Sequence, residues 1–433
     1  MFPIKKSPAC TLKWSASTIW IQNGTTASCY SASISNTKSL KNFHNTPEKI
    51  RDRNKMLQGE WPGHGCQKCQ YREQAGHESD RTLHNRKTEH YAPELDHNPE
   101  AVEVTPSMLE VYFSNECNMK CISCSEVLSS QWAKENREHG RFESGTIKLG
   151  PGLTFKETVQ ENDKGVWDYS EEKINKQGQK QRLAEFWQWM KNNHLSLKRL
   201  NILGGEPFYQ KNIKDLIEFY KHNPNPELQF SVTSNLNIDR EKFDWYIDKF
   251  VFLAGNNNIK NLQIVASIDN LGISAGYVRH GLDILKWYNN FNTLCNTPNI
   301  EMGVNSCISA LTIPEFKNLV EMIKNSRKTF NKDIWWSMEP ATGSPTSPFL
   351  HPKVFGHLLN DFYDAILQEM DPTQSEYAIF DGWQKQWRVL EPDIDMMKQT
   401  VILLNEMDRR RNTVWQDAFP EIRTIMEKCG ILK

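Results

Sequence analysis

The sequence has no run of 18 or more apolar residues, so no segment is suited to cross a membrane as a helix. It has no charge excess either. Lys and Arg number 52 against 53 for Asp and Glu, a formal net charge of −1, which gives no broad field to attract nucleic acid or an anionic membrane. The opening residues Met1 to Lys6 run on into polar chain rather than the apolar core of a secretory signal, so the expected location is the cytoplasm. Internal repeats and low-complexity tracts are missing, and the 12 His form no His-x3-His pair of the metal-binding kind. Cysteine is sparse, 10 in 433 residues, and in such a compartment the thiols point to metal sites rather than disulfides. The Asn23-Gly24-Thr25 sequon carries no weight there.

Three of those thiols stand together. Cys117, Cys121 and Cys124 lie in the run Cys-Asn-Met-Lys-Cys-Ile-Ser-Cys, just after an apolar stretch, Met108 to Phe113, that reads as a strand. Independent placement of residues would give about 0.005 such spacings in a chain of this composition. Burial as small hydrophobes is the plain alternative, but the neighbours Asn115, Glu116, Asn118, Lys120 and Ser123 are polar. Three soft ligands on one short loop leave a tetrahedral zinc ion short of a fourth donor, which His139 or His194 would have to supply. The same three are sufficient to hold three corners of an iron–sulfur cube and leave one iron open.

Around this loop the chain alternates short apolar runs with amphipathic stretches, as βα units do. The expected strands are 108–113, 199–203, 229–233, 263–268, 301–308 and 334–338, with helical stretches such as 183–191, 213–222, 240–248, 282–292 and 313–326 between them. Six strands with intervening helices suit an α/β fold of partial (β/α)6 barrel type, with its site at the C-terminal strand ends. Residues 108–344 would form that barrel, with 125–181 as an insertion covering the site, and 345–433 a helical extension. Residues 91–107, rich in Pro, Glu and His, read as a linker. Residues 1–90 form a smaller unit of their own, opening with a hairpin around Asn23-Gly24.

Directly after the second expected strand comes Gly204-Gly205-Glu206-Pro207. Two glycines let a ligand approach the backbone, and the carboxylate beside them is a fit acceptor for an ammonium group. Alone the run is compatible with an ordinary strand-to-helix turn. Placed after a Cys-x3-Cys-x2-Cys loop, it makes residues 108–338 resemble the radical S-adenosylmethionine (radical SAM) superfamily. The resemblance implies that Cys117, Cys121 and Cys124 ligate a [4Fe–4S] cluster whose open iron is chelated by SAM, and that Gly204, Gly205, Glu206 and Pro207 hold the SAM amine. It further implies cofactor contacts at Ser234 and Asn235 after strand three, at Ser267 and Asp269 after strand four, and at Arg279 toward the SAM carboxylate. The chain departs from many members in having Ser123, not an aromatic residue, before the third Cys, so the adenine contact stays unassigned.

A second cysteine set is Cys10, Cys29, Cys66 and Cys69. Four thiols satisfy a zinc ion or every iron of a second four-iron cluster, and coordination chemistry alone does not choose between them. The order of hairpin, helix, Cys-x2-Cys and then Glu73, Gly76, Ser79 and Arg81 resembles the twitch form of the SPASM/twitch auxiliary-cluster module, here placed ahead of the barrel. That resemblance implies an auxiliary [4Fe–4S] cluster. The enzyme so implied cleaves SAM, takes a hydrogen atom from a peptide or small-molecule substrate, and draws electrons from a reductant such as flavodoxin or ferredoxin. The competing reading is a non-catalytic, zinc-binding interaction protein, under which the βα alternation and Gly-Gly-Glu-Pro have no purpose.

Overall fold

The computed structural model describes residues 4, 8–29, 32, 34–37, 39–63, 65–76, 78–86, 93–140, 176–341, 346, 364 and 393–432. The chain divides into two compact units. The first takes Met1–Asn115, Gly152–Val232 and Asp248–Leu262; the second takes Glu116–Pro151, Thr233–Ile247 and Gln263–Lys433.

The first unit is built on a sheet. Strands β1 (Ala16–Trp20), β2 (Thr25–Ala27) and β3 (Ser35–Asn36) are followed by β4 (Met108–Tyr112), β5 (Arg199–Leu203) and β6 (Asn225–Ser234), the last belonging to this unit up to Val232. Their order is β3-β2-β1-β4-β5-β6. The expected hairpin is present, with Thr18 opposite Ala27 and Gly24 at a φ of 74° in its turn. Glycine is required there, since an added Cβ would sit 2.6 Å from the Thr37 carbonyl oxygen. Strand β1 then pairs in parallel with β4, Ala16 opposite Met108 through Trp20 opposite Tyr112. The N-terminal hairpin and the first strand of the βα alternation therefore share one sheet. The long crossover between them contains helices Pro47–Leu57, Gln67–Gln74 and Asp80–Arg86.

Period-two alternation sets the two faces of this sheet. Leu109, Val111, Leu200, Ile202, Phe230 and Val232 are fully buried. Phe113 next to them packs edge-on against Phe186 of helix Lys176–Asn193, and Phe230 against Tyr220 of helix Lys211–His222. Each such side chain contributes about 1.5–3 kcal/mol of burial. The alternate positions are polar and joined across the strands. Glu110 accepts from Thr18 Oγ1 (2.7 Å) and from Asn201 Nδ2 (3.2 Å), while Arg199 donates to Gln229 Oε1 (2.9 Å).

In the second unit β7 (Ile259–Ser267, here from Gln263), β8 (Ile300–Ile308) and β9 (Ile334–Pro340) are neighbours in that order. Strands β8 and β9 run parallel, Met302 opposite Ile334 through Ile308 opposite Pro340. Helix Phe316–Phe330 turns Phe316, Leu319, Val320 and Ile323 inward, and Phe316 stacks on Trp336 of β9 with ring centroids 5.1 Å apart. Helix Ile394–Arg411 is tied in by Tyr277, whose hydroxyl donates to Asp408 Oδ1 at 2.8 Å.

All six expected strands are found, β6 and β7 each starting four residues before the expected 229 and 263. The expected insertion 125–181 contains helix Ser130–His139, and its residues 141–175 lie outside the described residues. Most of the early part of the expected extension 345–433 lies outside them as well.

Candidate metal centres

The loop bearing Cys117, Cys121 and Cys124 belongs to the second unit and is shaped by its backbone. Ile122 N–H donates to Val278 C=O (2.8 Å) and Lys120 N–H to His280 C=O (3.0 Å), laying the loop along residues 278–280. Gly281 allows that approach, since a Cβ there would come within 3.2 Å of the Asn118 carbonyl oxygen. Buried Met119 and Ile122 anchor the loop from below. The start of helix Ser130–His139 closes it from the other side. Ser129 caps this helix by accepting from Trp132 N–H and gives its hydroxyl proton to Met119 C=O (2.6 Å); Trp132 Nε1 donates to Cys121 C=O (2.7 Å). Cys124 N–H donates to Cys121 C=O at 3.0 Å, the tight turn that a Cys-x2-Cys spacing requires.

Polar side chains expected from the sequence gather at this loop. Asn235 Nδ2 donates to Asn118 Oδ1 (2.8 Å) and lies 4.0 Å from Cys117 Sγ. Arg279 pairs with Asp269 at 2.8 Å while its Nη1 lies 3.9 Å from Cys121 Sγ, and Asp269 also accepts from Cys307 N–H (2.9 Å). Asp269 is fully buried, yet its Oδ2 and the Arg279 Nε have no hydrogen-bond partner among the described residues. Ser234 is buried and uses its hydroxyl to accept from Leu236 N–H (3.0 Å), so it shapes the turn after β6. Ser267 ends β7, half-buried.

Burial raises the Cys121 and Cys124 thiols above their ordinary range; the nearby Arg279 charge draws Cys121 down, whereas Cys121 and Cys117 push Cys124 further up. As bare thiols they stay protonated at neutral pH. A bound metal cation inverts that preference, because thiolate is the ligating form. Among the described residues no three His, Cys, Asp or Glu side chains converge tightly enough to hold one metal ion. A single tetrahedral zinc would bring its sulfurs to about 3.8 Å from one another. A four-iron cube takes one thiolate at each of three corners, a donor set that three cysteines on one loop are able to supply.

Sequence reasoning missed the support behind the loop. The run Asp408-Arg409-Arg410-Arg411 reads as a solvated helix face, but only Arg409 is exposed. Arg411 lies 4.8 Å over the Trp132 ring and pairs with buried Glu135 at 3.2 Å, while Lys120 reaches the same carboxylate at 2.5 Å. Helical periodicity places Arg410 and Arg411 inward beside Leu403, Leu404 and Met407, a signal that the charge run masks.

The Arg279–Asp269 pair gives a direct test of this packing. Arg279→Met strands a buried carboxylate and is expected to cost about 3–5 kcal/mol in chemical denaturation. Adding Asp269→Asn should recover most of that loss. A double variant as unstable as the single one would mean that the two charges do not sustain each other.

The other expected residues lie in the first unit. Gly204 and Gly205 adopt φ of 84° and 56°, and Gln210 Nε2 donates to Gly204 C=O at 2.6 Å. Glu206 is fully buried and caps the turn Pro207–Tyr209 by accepting from Phe208 N–H. The run therefore makes the strand-to-helix turn that its sequence permits.

In the second cysteine set, Cys10 is buried in an apolar cluster with Leu12, Trp14, Met56 and Leu95, and Cys29 and Cys66 pack against that cluster half-buried. Cys69 follows in helix Gln67–Gln74 close enough to Cys66 to interact with it electrostatically. Burial and the neighbouring Cys29 push the Cys10 thiol up to about 12. Arg81, which interacts with Cys10 and Cys69, donates to Ala9 C=O (2.9 Å) and is paired with Glu73 at 2.5 Å. Glu73 and Arg81 are two of the positions that follow Cys69 in the sequence pattern.

No protein-family model matches the chain, and no curated protein matches it. Among solved structures it is similar to hexahistidine-tagged anSMEcpe with bound AdoMet, at 15% identity and a TM-score of 0.32 over 59% of this chain and 58% of that one. It is also similar to Streptococcus suis SuiB bound to the precursor peptide SuiA, at 13% identity and a TM-score of 0.35 over 70% and 60%. For Streptococcus suis SuiB without the peptide the values are 14% and 0.35 over 74% and 62%. The chain thus spans between 58% and 62% of the length of these proteins.

Proposed function

We propose that this chain is a radical SAM enzyme: a partial (β/α)6 barrel whose Cys117, Cys121 and Cys124 hold a [4Fe–4S] cluster, preceded by a twitch-like unit whose Cys10, Cys29, Cys66 and Cys69 hold an auxiliary one. The observation that carries the reading is the Cys117 loop. Its three thiols sit on a backbone fixed from both sides, beside a buried Arg279–Asp269 pair with one nitrogen and one oxygen left for a ligand. A cluster held by these cysteines would supply one-electron reductive cleavage of SAM to methionine and a 5′-deoxyadenosyl radical able to take a substrate hydrogen atom.

The chain's own residues prepare that chemistry. Arg279 places a permanent positive charge next to the Cys121 sulfur, which favours the anionic thiolate over the thiol. Asp269 holds Arg279 in that position and keeps it charged against the cost of burial. Asn235 orients Asn118 within the loop, and Gly204 to Pro207 holds the SAM amine, as the motif implies. Burial of Met119, Ile122 and Trp132 excludes water from the underside of the loop. We place the enzyme in the cytoplasm with a flavodoxin or ferredoxin as electron donor and a peptide side chain, or else a small molecule, as substrate. The fully ligated auxiliary site suits it to accept an electron from an oxidised substrate radical rather than to bind substrate.

Anaerobic reconstitution followed by dithionite and SAM tests the proposal. It is expected to yield about eight irons per chain, from two four-iron clusters, and 5′-deoxyadenosine. Tightly held zinc without iron uptake would leave the zinc-binding interaction protein as the surviving reading.

A further inference from the structure

Two of the three sulfurs on the Cys117 loop face N–H groups. Arg279 Nη1 lies 3.9 Å from Cys121 Sγ, while its Nη2 donates to Asp269 Oδ1 at 2.8 Å. Asn235 Nδ2 lies 4.0 Å from Cys117 Sγ and donates to Asn118 Oδ1 at 2.8 Å. The third sulfur, Cys124 Sγ, faces the Ser125 carbonyl oxygen at 3.7 Å instead. Both donor side chains are held in place by further bonds. Asn235 Oδ1 accepts from Asn237 N–H (2.8 Å), and Asn118 Nδ2 donates on to Asn237 C=O (2.7 Å). Asp269 accepts from Cys307 N–H (2.9 Å), and Arg279 N–H donates to Ala275 C=O (2.9 Å) at the end of the short helix Ala275–Val278. Glu315 fixes the start of that helix by accepting from Ile273 N–H (3.0 Å) and Ser274 N–H (2.9 Å). Arg279 is 9% exposed and Asn235 8%, so water does little to screen either from the sulfurs.

We propose that Arg279 and Asn235 tune the reduction potential of the cluster on this loop, holding it less negative than the three thiolates alone would. The proposal rests on the reading of Cys117, Cys121 and Cys124 as iron–sulfur ligands, and it gives the two residues a role that precedes SAM binding. One-electron reduction adds negative charge to a centre whose thiolates are already anionic. A guanidinium and an amide N–H dipole beside those sulfurs, in a weakly screened interior, stabilise the reduced form more than the oxidised one. Arg279 brings a full charge and Asn235 only a dipole, so Arg279 has the larger effect. Asp269 offsets part of that charge, but it bonds Nη2 and leaves Nη1 to the sulfur. A less negative potential lets a weaker reductant deliver the electron that SAM cleavage consumes.

The test measures the potential of the full-length, anaerobically reconstituted chain without SAM, where contacts to the cosubstrate play no part. Dithionite is added stepwise and the reduced fraction is read by electron paramagnetic resonance. In the parent chain, the signal that changes when SAM is added at the end identifies the loop cluster. Arg279→Met is expected to lower the reduced-to-oxidised ratio at a fixed potential about tenfold, equivalent to about 59 mV for one electron. Should that chain fail to fold, Arg279→Met with Asp269→Asn leaves no lone buried charge and should move the potential the same way by less. Asn235→Leu removes the dipole without changing the charge and should lower the ratio about threefold. Arg279→Lys keeps the charge and should recover most of the loss. A SAM-free potential unmoved in the Arg279 and Asn235 variants would overturn the proposal and leave both residues to the cosubstrate alone. Failure of the underlying reading looks different: the parent chain would take up zinc or nothing in place of iron, or show no signal that responds to SAM.

Discussion

A chain carrying Cys117→Ala, Cys121→Ala and Cys124→Ala is expected to bind about four irons where the unaltered chain binds about eight, and to form no 5′-deoxyadenosine from SAM and dithionite. The loss is chemical rather than structural. The loop's course is set by the backbone bonds of Lys120 and Ile122 to His280 and Val278, by Ser129 and by Trp132, none of which involves a sulfur atom. All three thiols are half-buried, so trimming each to a methyl group opens no large core cavity. The metal-free triple variant should therefore melt with the metal-free parent. Replacing Cys10, Cys29, Cys66 and Cys69 instead should also remove about four irons, and should leave SAM cleavage by the Cys117 loop detectable. Retention of about eight irons in the triple variant would refute the assignment of this loop. Retention of SAM cleavage with only about four irons would move the chemistry to the other cysteine set.

How far the sequence reveals this molecule depends on the range over which each feature is encoded. Strand β4 and its neighbours were legible because period-two alternation in Leu109, Val111, Leu200 and Ile202 is a local signal. The hairpin at Asn23-Gly24 was legible because a positive φ at the turn selects glycine. The pairing of β1 with β4 was not, since nothing within Ala16–Trp20 specifies a partner so far along the chain. Local turns within the Cys117 loop were legible from spacing, since Cys124 N–H folds back onto Cys121 C=O over three residues. Their surroundings were not. Lys49 and Arg53 stand four residues apart on helix Pro47–Leu57 with Lys13 distant from them in sequence, and Arg410 and Arg411 belong to the charge run that reads as a solvated helix face. Their burial depends on partners distant in sequence: Arg53 on the Val102 carbonyl, Arg411 on Glu135. Charged residues are normally exposed, so any reading residue by residue misplaces the few that are not.

Gly204→Ala is expected to lower stability by about 3 kcal/mol and to weaken SAM binding at least about tenfold, although the added group is one methyl. Two costs combine. The residue sits at a φ of 84°, where an L side chain carries a penalty of about 1–2 kcal/mol. Its Cβ would then lie 2.5 Å from Tyr112 Cδ1 and 3.3 Å from the Ser114 carbonyl oxygen. The tyrosine ring has little room to yield, because it is stacked on Trp20 with centroids 5.0 Å apart and planes inclined by 20°. Relief must come from the backbone, which shifts the Gly204 carbonyl away from Gln210 and displaces the turn that Glu206 caps. Removing the obstacle separates the two costs. Tyr112→Ala in the Gly204→Ala background should restore the steric part, measured by denaturation against Tyr112→Ala alone, while the conformational part remains. SAM affinity, measured on reconstituted protein by equilibrium dialysis, should follow the turn rather than global stability. Parental affinity in a destabilised Gly204→Ala chain would dissociate this turn from the cosubstrate and leave it a strand-to-helix connection.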